Sequence, residues 1–183
     1  DGAAERDAGG GAHGPGGGVV SNTAITAELV REALTHVMDP EIPVISVVDM
    51  GIIRDVAVGA EGVTVTMTPT FSGCPALDVM QRDIEAAVRG LGVAQVTVRV
   101  VLAPAWSTEA ISDEGREKLR RFGLAPPPRH AGDPVTVAFF DLAECPRCGS
   151  PNTSLRNAFG PTLCRMIWYC NECRDAFEQF KAL

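Results

Sequence analysis

No stretch of this 183-residue sequence gathers lysine and arginine free of acidic neighbours, and the formal net charge is −7. Binding to a phosphate backbone depends on basic side chains that release counterions, so no nucleic-acid partner is expected. No apolar run approaches the roughly 20 residues of a membrane span, so no membrane partner is expected either. The longest aliphatic stretch, 96–103, is interrupted by Arg99. Histidine is scarce. His13 lies in the glycine-rich start, His36 on a predicted helix and His130 among prolines, which leaves a cysteine nucleophile without a general base. Phe71 is the only aromatic residue between positions 24 and 103, so a core formed there is expected to be aliphatic. The start lacks the basic region and apolar core of a secretory signal. We therefore expect a cytoplasmic, reducing setting in which paired cysteines hold metal rather than form disulfides.

Hydrophobic residues make up 45% of the chain, enough for one ordinary domain and a small satellite. Residues 1–23 cannot bury enough surface to offset backbone ordering and are expected to form a disordered tail. Ile25, Leu29, Val30, Ala33, Leu34, Val37 and Met38 follow a helical period, with Thr26 as N-cap and Pro40 as terminator. Residues 39–51 read as an extended loop. A hairpin follows, with strands at 52–58 and 63–68 around the turn-forming 59–62. In its second strand Val63, Val65 and Met67 face the core while Thr64, Thr66 and Thr68 face away. Leu77, Met80, Ile84, Ala87, Val88 and Leu91 mark a second helix, and Val96, Val98, Val100 and Leu102 mark one face of a third strand. The order predicts an α+β fold: a two-layer α-β-β-α-β domain with a small mixed sheet. Ser112 caps a further short helix that Gly123 stops. Residues 24–124 would thus form the main unit with a helical extension, 125–134 a proline-rich linker, and 135–183 a separate module.

That last module carries five of the six cysteines. Cys145 and Cys148, then Cys170 and Cys173, form two Cys-x2-Cys pairs, and two such turns complete a tetrahedron around one ion. We read a zinc-ribbon-like module with a structural four-cysteine site, a rubredoxin-like iron being the alternative. Cys164 stands outside the pairs. It reads as a small buried residue, a stand-in ligand or a second reactive thiol.

Cys74 stands alone in 68–76, at the predicted N-cap of the second helix with Pro75 as first helical residue. Backbone N–H groups there favour an anion, so Cys74 is expected to ionise more readily than a free thiol. Thr70 and Ser72 add hydroxyls to this loop. Without further information, a small residue in a turn is an equal reading.

Residues 39–51 and 68–76, in their fold context, resemble the SufT-type iron–sulfur assembly domain family. Residues 103–127 and 145–183 resemble its PaaD-type members, those encoded with the bacterial phenylacetyl-CoA epoxidase complex. The resemblance marks Asp39, Glu41 and Cys74 as the characteristic polar residues and raises the standing of Cys164. It implies a non-catalytic accessory protein of phenylacetate degradation that helps mature a metal centre. Cys74, with Asp39 or Glu41 and Thr70 near it, would transiently hold iron or an iron–sulfur cluster, with ligation shared across a homodimer. The implied partners are the oxygenase and iron–sulfur reductase components of the complex. The alternative is a structural subunit with no metal-transfer role.

Overall fold

The computed structural model describes residues 24–71, 73–129 and 143–181. The expected tail and the end of the expected linker lie outside the described residues. Helix α1 (Ala27–Leu34) opens at Thr26, whose hydroxyl accepts the Leu29 N–H at 3.2 Å. It stops four residues before the expected end. The Thr35 hydroxyl donates to the Glu32 carbonyl at 2.6 Å, and the backbone then leaves the helix to close a loop. Val47 N–H donates to the Val37 carbonyl and Asp39 N–H to that of Ile45, both at 2.9 Å. The expected extended loop therefore folds back on itself, burying Ile42, Ile45 and Val47.

Strands β1 (Ile53–Gly59) and β2 (Gly62–Met67) pair antiparallel, and β3 (Val96–Val100) lies parallel to β2 after a crossover through helix α2 (Leu77–Gly90). The sheet order is β1-β2-β3, a small mixed sheet. Val63, Val65 and Met67 of β2 are buried, as their alternation predicts. They share a core with Val30 and Leu34 of α1 and Met80, Ile84 and Val88 of α2. Two expectations fail at strand ends. Leu102 lies past β3 and is exposed, while Thr68 is buried and accepts a hydrogen bond from the Arg54 guanidinium at 3.0 Å.

Nor is this core purely aliphatic. Trp106 and Phe180 enter it from later in the chain, their ring centroids 5.9 Å apart at an interplanar angle of 58°. The Trp106 indole N–H donates to the Met50 carbonyl at 2.9 Å, which satisfies its one polar atom.

Helix α3 (Asp113–Phe122) begins at Ser112, whose hydroxyl accepts the Gly115 N–H, and ends at Gly123 with φ 92°. Asp49 binds it to the closed loop. Its carboxylate accepts from the Ser46 hydroxyl at 2.9 Å, the Ser112 hydroxyl at 3.2 Å and the Lys118 ammonium at 2.8 Å. Burial works against the charged carboxylate, but the hydrogen bonds from Lys118 and Ser46 outweigh it and hold the Asp49 pKa below its ordinary value. A depressed folded-state pKa contributes stability above the unfolded value of about 4, lost as pH falls through the folded value. Asp49→Asn should cost about 2 kcal/mol at neutral pH, since Lys118 is partly exposed and screened. The gap between wild type and variant should begin to narrow below about pH 4 and go on shrinking as pH falls through the lower folded-state value. Denaturant titrations of both proteins across pH test this, metal release being common to the two; a gap independent of pH would contradict it.

Strand β4 (Leu124–Ala125) follows at once and pairs parallel with β7 (Ala176–Phe180). With β5 (Thr153–Asn157) and β6 (Arg165–Cys170) these form a second sheet of order β4-β7-β6-β5. Ala125, where the sequence places the start of a linker, is a buried strand residue of this second sheet. The ribbon is therefore joined to the main unit by a shared strand, and Phe180 carries the end of β7 into the main core. Trp168, Phe177 and Met166 pack a smaller core of their own around Cys145 and Cys170.

Candidate metal centre and thiol cleft

The two Cys-x2-Cys turns have the same local geometry. The Gly149 N–H donates to the Cys145 carbonyl at 2.9 Å and the Arg174 N–H to that of Cys170 at 3.0 Å. Each turn closes on a left-handed residue, Gly149 at φ 70° and Arg174 at φ 60°. The pairs face each other, with Cys145 Sγ 3.7 Å from Cys173 Sγ and Cys148 Sγ 3.6 Å from Cys170 Sγ. All four sulfurs lie within 4.8 Å of one another. Sulfurs about 2.3 Å from a zinc ion stand about 3.8 Å apart along the edges of a tetrahedron, so the set fits. The four thiols share their protons unequally: the backbone N–H of Cys173 leads the groups that pull the Cys170 thiol down to about 7, whereas lost hydration and the contact with Cys170 push Cys173 up to about 12. Full thiolate ligation would thus come from the charge of the bound ion, which displaces the remaining protons. Four thiolates leave zinc no open position, so the ion would supply folding energy and no chemistry.

The second site lies where a loop of the ribbon faces loops of the main unit. A cleft of about 220 Å³ is lined from the main unit by Glu41, Thr70, Phe71, Cys74 and Pro75. From the ribbon it is lined by Gly160, Pro161, Thr162, Leu163 and Cys164. Glu41, Thr70, Cys74 and Cys164 are thus brought together. Asp39 is not among them. It is 7% exposed, and its Oδ1 accepts the backbone N–H groups of Glu41 and Ile42, both at 2.8 Å. Asp39 shapes the turn that presents Glu41.

Cys74 is not an N-cap. Helix α2 begins at Leu77 with Ala76 as its cap, and Cys74 sits in the preceding turn, its carbonyl accepting the Leu77 N–H at 3.2 Å. Nor is its thiol made more acidic. Burial in the cleft pushes the Cys74 pKa up, the Ala76 N–H opposes this, and the charges of Glu41, Asp39 and Cys164 add to the rise. The nearby amide is outweighed by lost hydration and like charge. Burial likewise raises the Cys164 thiol, which stands 3.1 Å from the Thr162 hydroxyl.

Arg165 has no counterpart in the sequence reading. It is almost fully buried, and its guanidinium donates to the Glu41 carbonyl and to the Glu178 carboxylate, the latter at 2.9 Å. One side chain thus fastens the turn carrying Glu41 to the ribbon beside Cys164. A lone arginine at the start of a strand gives no such signal.

Comparison with known proteins agrees with this two-part architecture. A family model described as an iron–sulfur cluster assembly protein matches residues 27–100, and one described as the PaaD zinc beta ribbon domain matches 137–181. A protein of Escherichia coli (strain K12), named as a candidate subunit of 1,2-phenylacetyl-CoA epoxidase, is 38% identical over 150 residues. That match spans 82% of this chain and 89% of the relative. A protein of Porphyromonas gingivalis (strain ATCC BAA-308 / W83), named as an Fe-S protein maturation auxiliary factor, is 42% identical over 51% of this chain and 90% of its own length. A Bacillus subtilis (strain 168) protein with the same designation is 33% identical over 46% of this chain and 84% of its own length. The chain belongs to the same family as this Escherichia coli protein, and in it a segment matching iron–sulfur cluster assembly proteins is followed by a PaaD zinc β-ribbon.

Proposed function

We propose that this protein is a non-catalytic, cytoplasmic maturation factor for the bacterial phenylacetyl-CoA 1,2-epoxidase complex. Its cargo is iron or an iron–sulfur cluster destined for the oxygenase or reductase component, held transiently at Cys74. The observation that carries this reading is the placement of Cys74 in an open cleft beside Glu41, rather than inside the hydrocarbon core. A thiolate with a hard carboxylate suits iron, and so few ligands hold it loosely enough to release it. The names of the maturation-factor relatives support the same role, and that of the epoxidase relative supports the complex served. No helix among the described residues is long and apolar enough to cross a membrane.

The test is co-expression of the epoxidase components with the wild-type protein or with Cys74→Ser. The variant should keep its fold and zinc yet lower the recovered epoxidase activity to the level found without the protein. Wild-type recovery would remove Cys74 from the maturation role. A purely structural subunit is the second reading, favoured by the exposed apolar side chains of Phe71, Phe159 and Leu163. It calls for full activity with Cys74→Ser and for loss of co-purification when Leu163 is replaced by a charge.

A further inference from the structure

We propose that Cys164 is the second thiolate ligand of the Cys74 site, so that the ribbon itself supplies half of a two-sulfur binding edge for iron or an iron–sulfur cluster. This rests on the maturation reading and extends it to the ligand set. Cys74 and Cys164 are 90 residues apart in sequence, yet they line the same cleft together with Glu41. Both are half-buried and pack against the main core, one contributed by each side of the cleft.

The loop that carries Cys164 is fixed rather than slack. The Gly160 N–H donates to the Arg165 carbonyl at 2.9 Å, the Arg165 N–H to that of Thr162 at 3.2 Å, and the Lys181 N–H to that of Cys164 at 2.9 Å. A Cβ at position 160 would stand 3.0–3.1 Å from Arg165 atoms, so glycine is what lets the loop close this tightly. Arg165 then ties the loop to the backbone of Glu41. A packing role for Cys164 alone would not call for a buried cation linking its loop to the acidic turn across the cleft.

Among the described residues, the four-cysteine set is the one group of three or more metal-ligating side chains drawn within 4.8 Å. The Cys74–Cys164–Glu41 arrangement is more open. That suits a half-site: two thiolates grip one iron of the cargo and leave its remaining positions for cysteines or carboxylates of the client. On binding, each thiol gives its proton to solvent as the sulfur–metal bond forms, and no oxidant or reductant is required.

The full-length, zinc-loaded, reduced protein is titrated anaerobically with Co²⁺, which takes the place of iron(II) and reports thiolate ligation through its charge-transfer band. The wild type should develop a band in excess of its zinc-filled ribbon. Cys164→Ala and Cys74→Ser should each leave a weaker band and roughly tenfold weaker binding, and the double variant none. Wild-type cobalt spectrum and affinity in Cys164→Ala overturns the proposal, as does absence of any cobalt band in the wild type. A measurement free of variants guards against misfolding: Co²⁺ should protect both Cys74 and Cys164 from iodoacetamide, read peptide by peptide. Protection of Cys74 alone overturns the assignment. The two proposals separate in co-expression. Full activity and full cobalt binding with Cys164→Ala, alongside an inactive Cys74→Ser, removes the second ligand and leaves the maturation role; an active Cys74→Ser removes the maturation role itself.

Discussion

Removing the ribbon metal should unfold β5, β6 and β7 and weaken the main unit as well. Structural zinc held by four thiolates contributes about 10 kcal/mol or more of apparent folding free energy, far beyond what a core the size of the Trp168–Phe177–Met166 cluster provides. The damage spreads because β7 is shared. Without it β4 loses its partner, Phe180 leaves the main core, and the indole of Trp106 loses the ring beside it. Chelation, or Cys170→Ser, should therefore release one equivalent of zinc and lower the melting temperature of the whole chain. Tryptophan emission should shift to the red as Trp106 and Trp168 meet water. A chelated protein that keeps one sharp transition at the wild-type temperature would show that the metal is not structural. The released ion also settles zinc against iron: zinc–thiolate protein is colourless, and a red protein would carry iron.

Phe180→Ala should be the most damaging single change outside the metal ligands. The side chain is among the largest fully buried ones, at 1% exposure, and packs on Trp106. Phenylalanine-to-alanine changes in such positions cost about 3–5 kcal/mol, against a typical domain's total stability of about 5–15 kcal/mol. Phe159→Ala is the matched control. Phe159 is 68% exposed, and its loss should cost under about 0.5 kcal/mol. Phe180 also precedes Lys181, whose N–H holds the Cys164 carbonyl, so its removal should loosen the thiol loop and raise the alkylation rate of Cys164. Equal denaturation midpoints for the two variants would mean that the ribbon and the main unit fold independently.

Much of this molecule was legible because its signals are local. The periodic apolar positions of α2, the alternation of β2 and the Ser112 cap of α3 each reflect backbone geometry that repeats within a few residues. The helix ends were less legible. Residues 35–38 keep the apolar period of α1, yet the backbone of residues 37–39 is drawn into pairing with residues 45–47. The opening turn at Cys74 misled in the same way: an N-terminal position predicts an activated thiol, whereas the burial and neighbouring carboxylates that raise its pKa come from elsewhere in the chain. The linker expected to begin at residue 125 starts as strand because β7, some 50 residues later, offers it an edge.

The sequence alone determined the four-cysteine site, since two residues between paired ligands is itself the geometry of a metal-binding turn. It also determined the order of helices and strands, written in periods of 3.6 and 2. Only the tertiary structure decided that Cys164 would meet Cys74, that Arg165 would reach Glu41 across 124 residues, and that Phe180 would complete a core begun by α1. Such contacts depend on how the ribbon closes against the main unit, and that closure leaves no repeating trace along the chain.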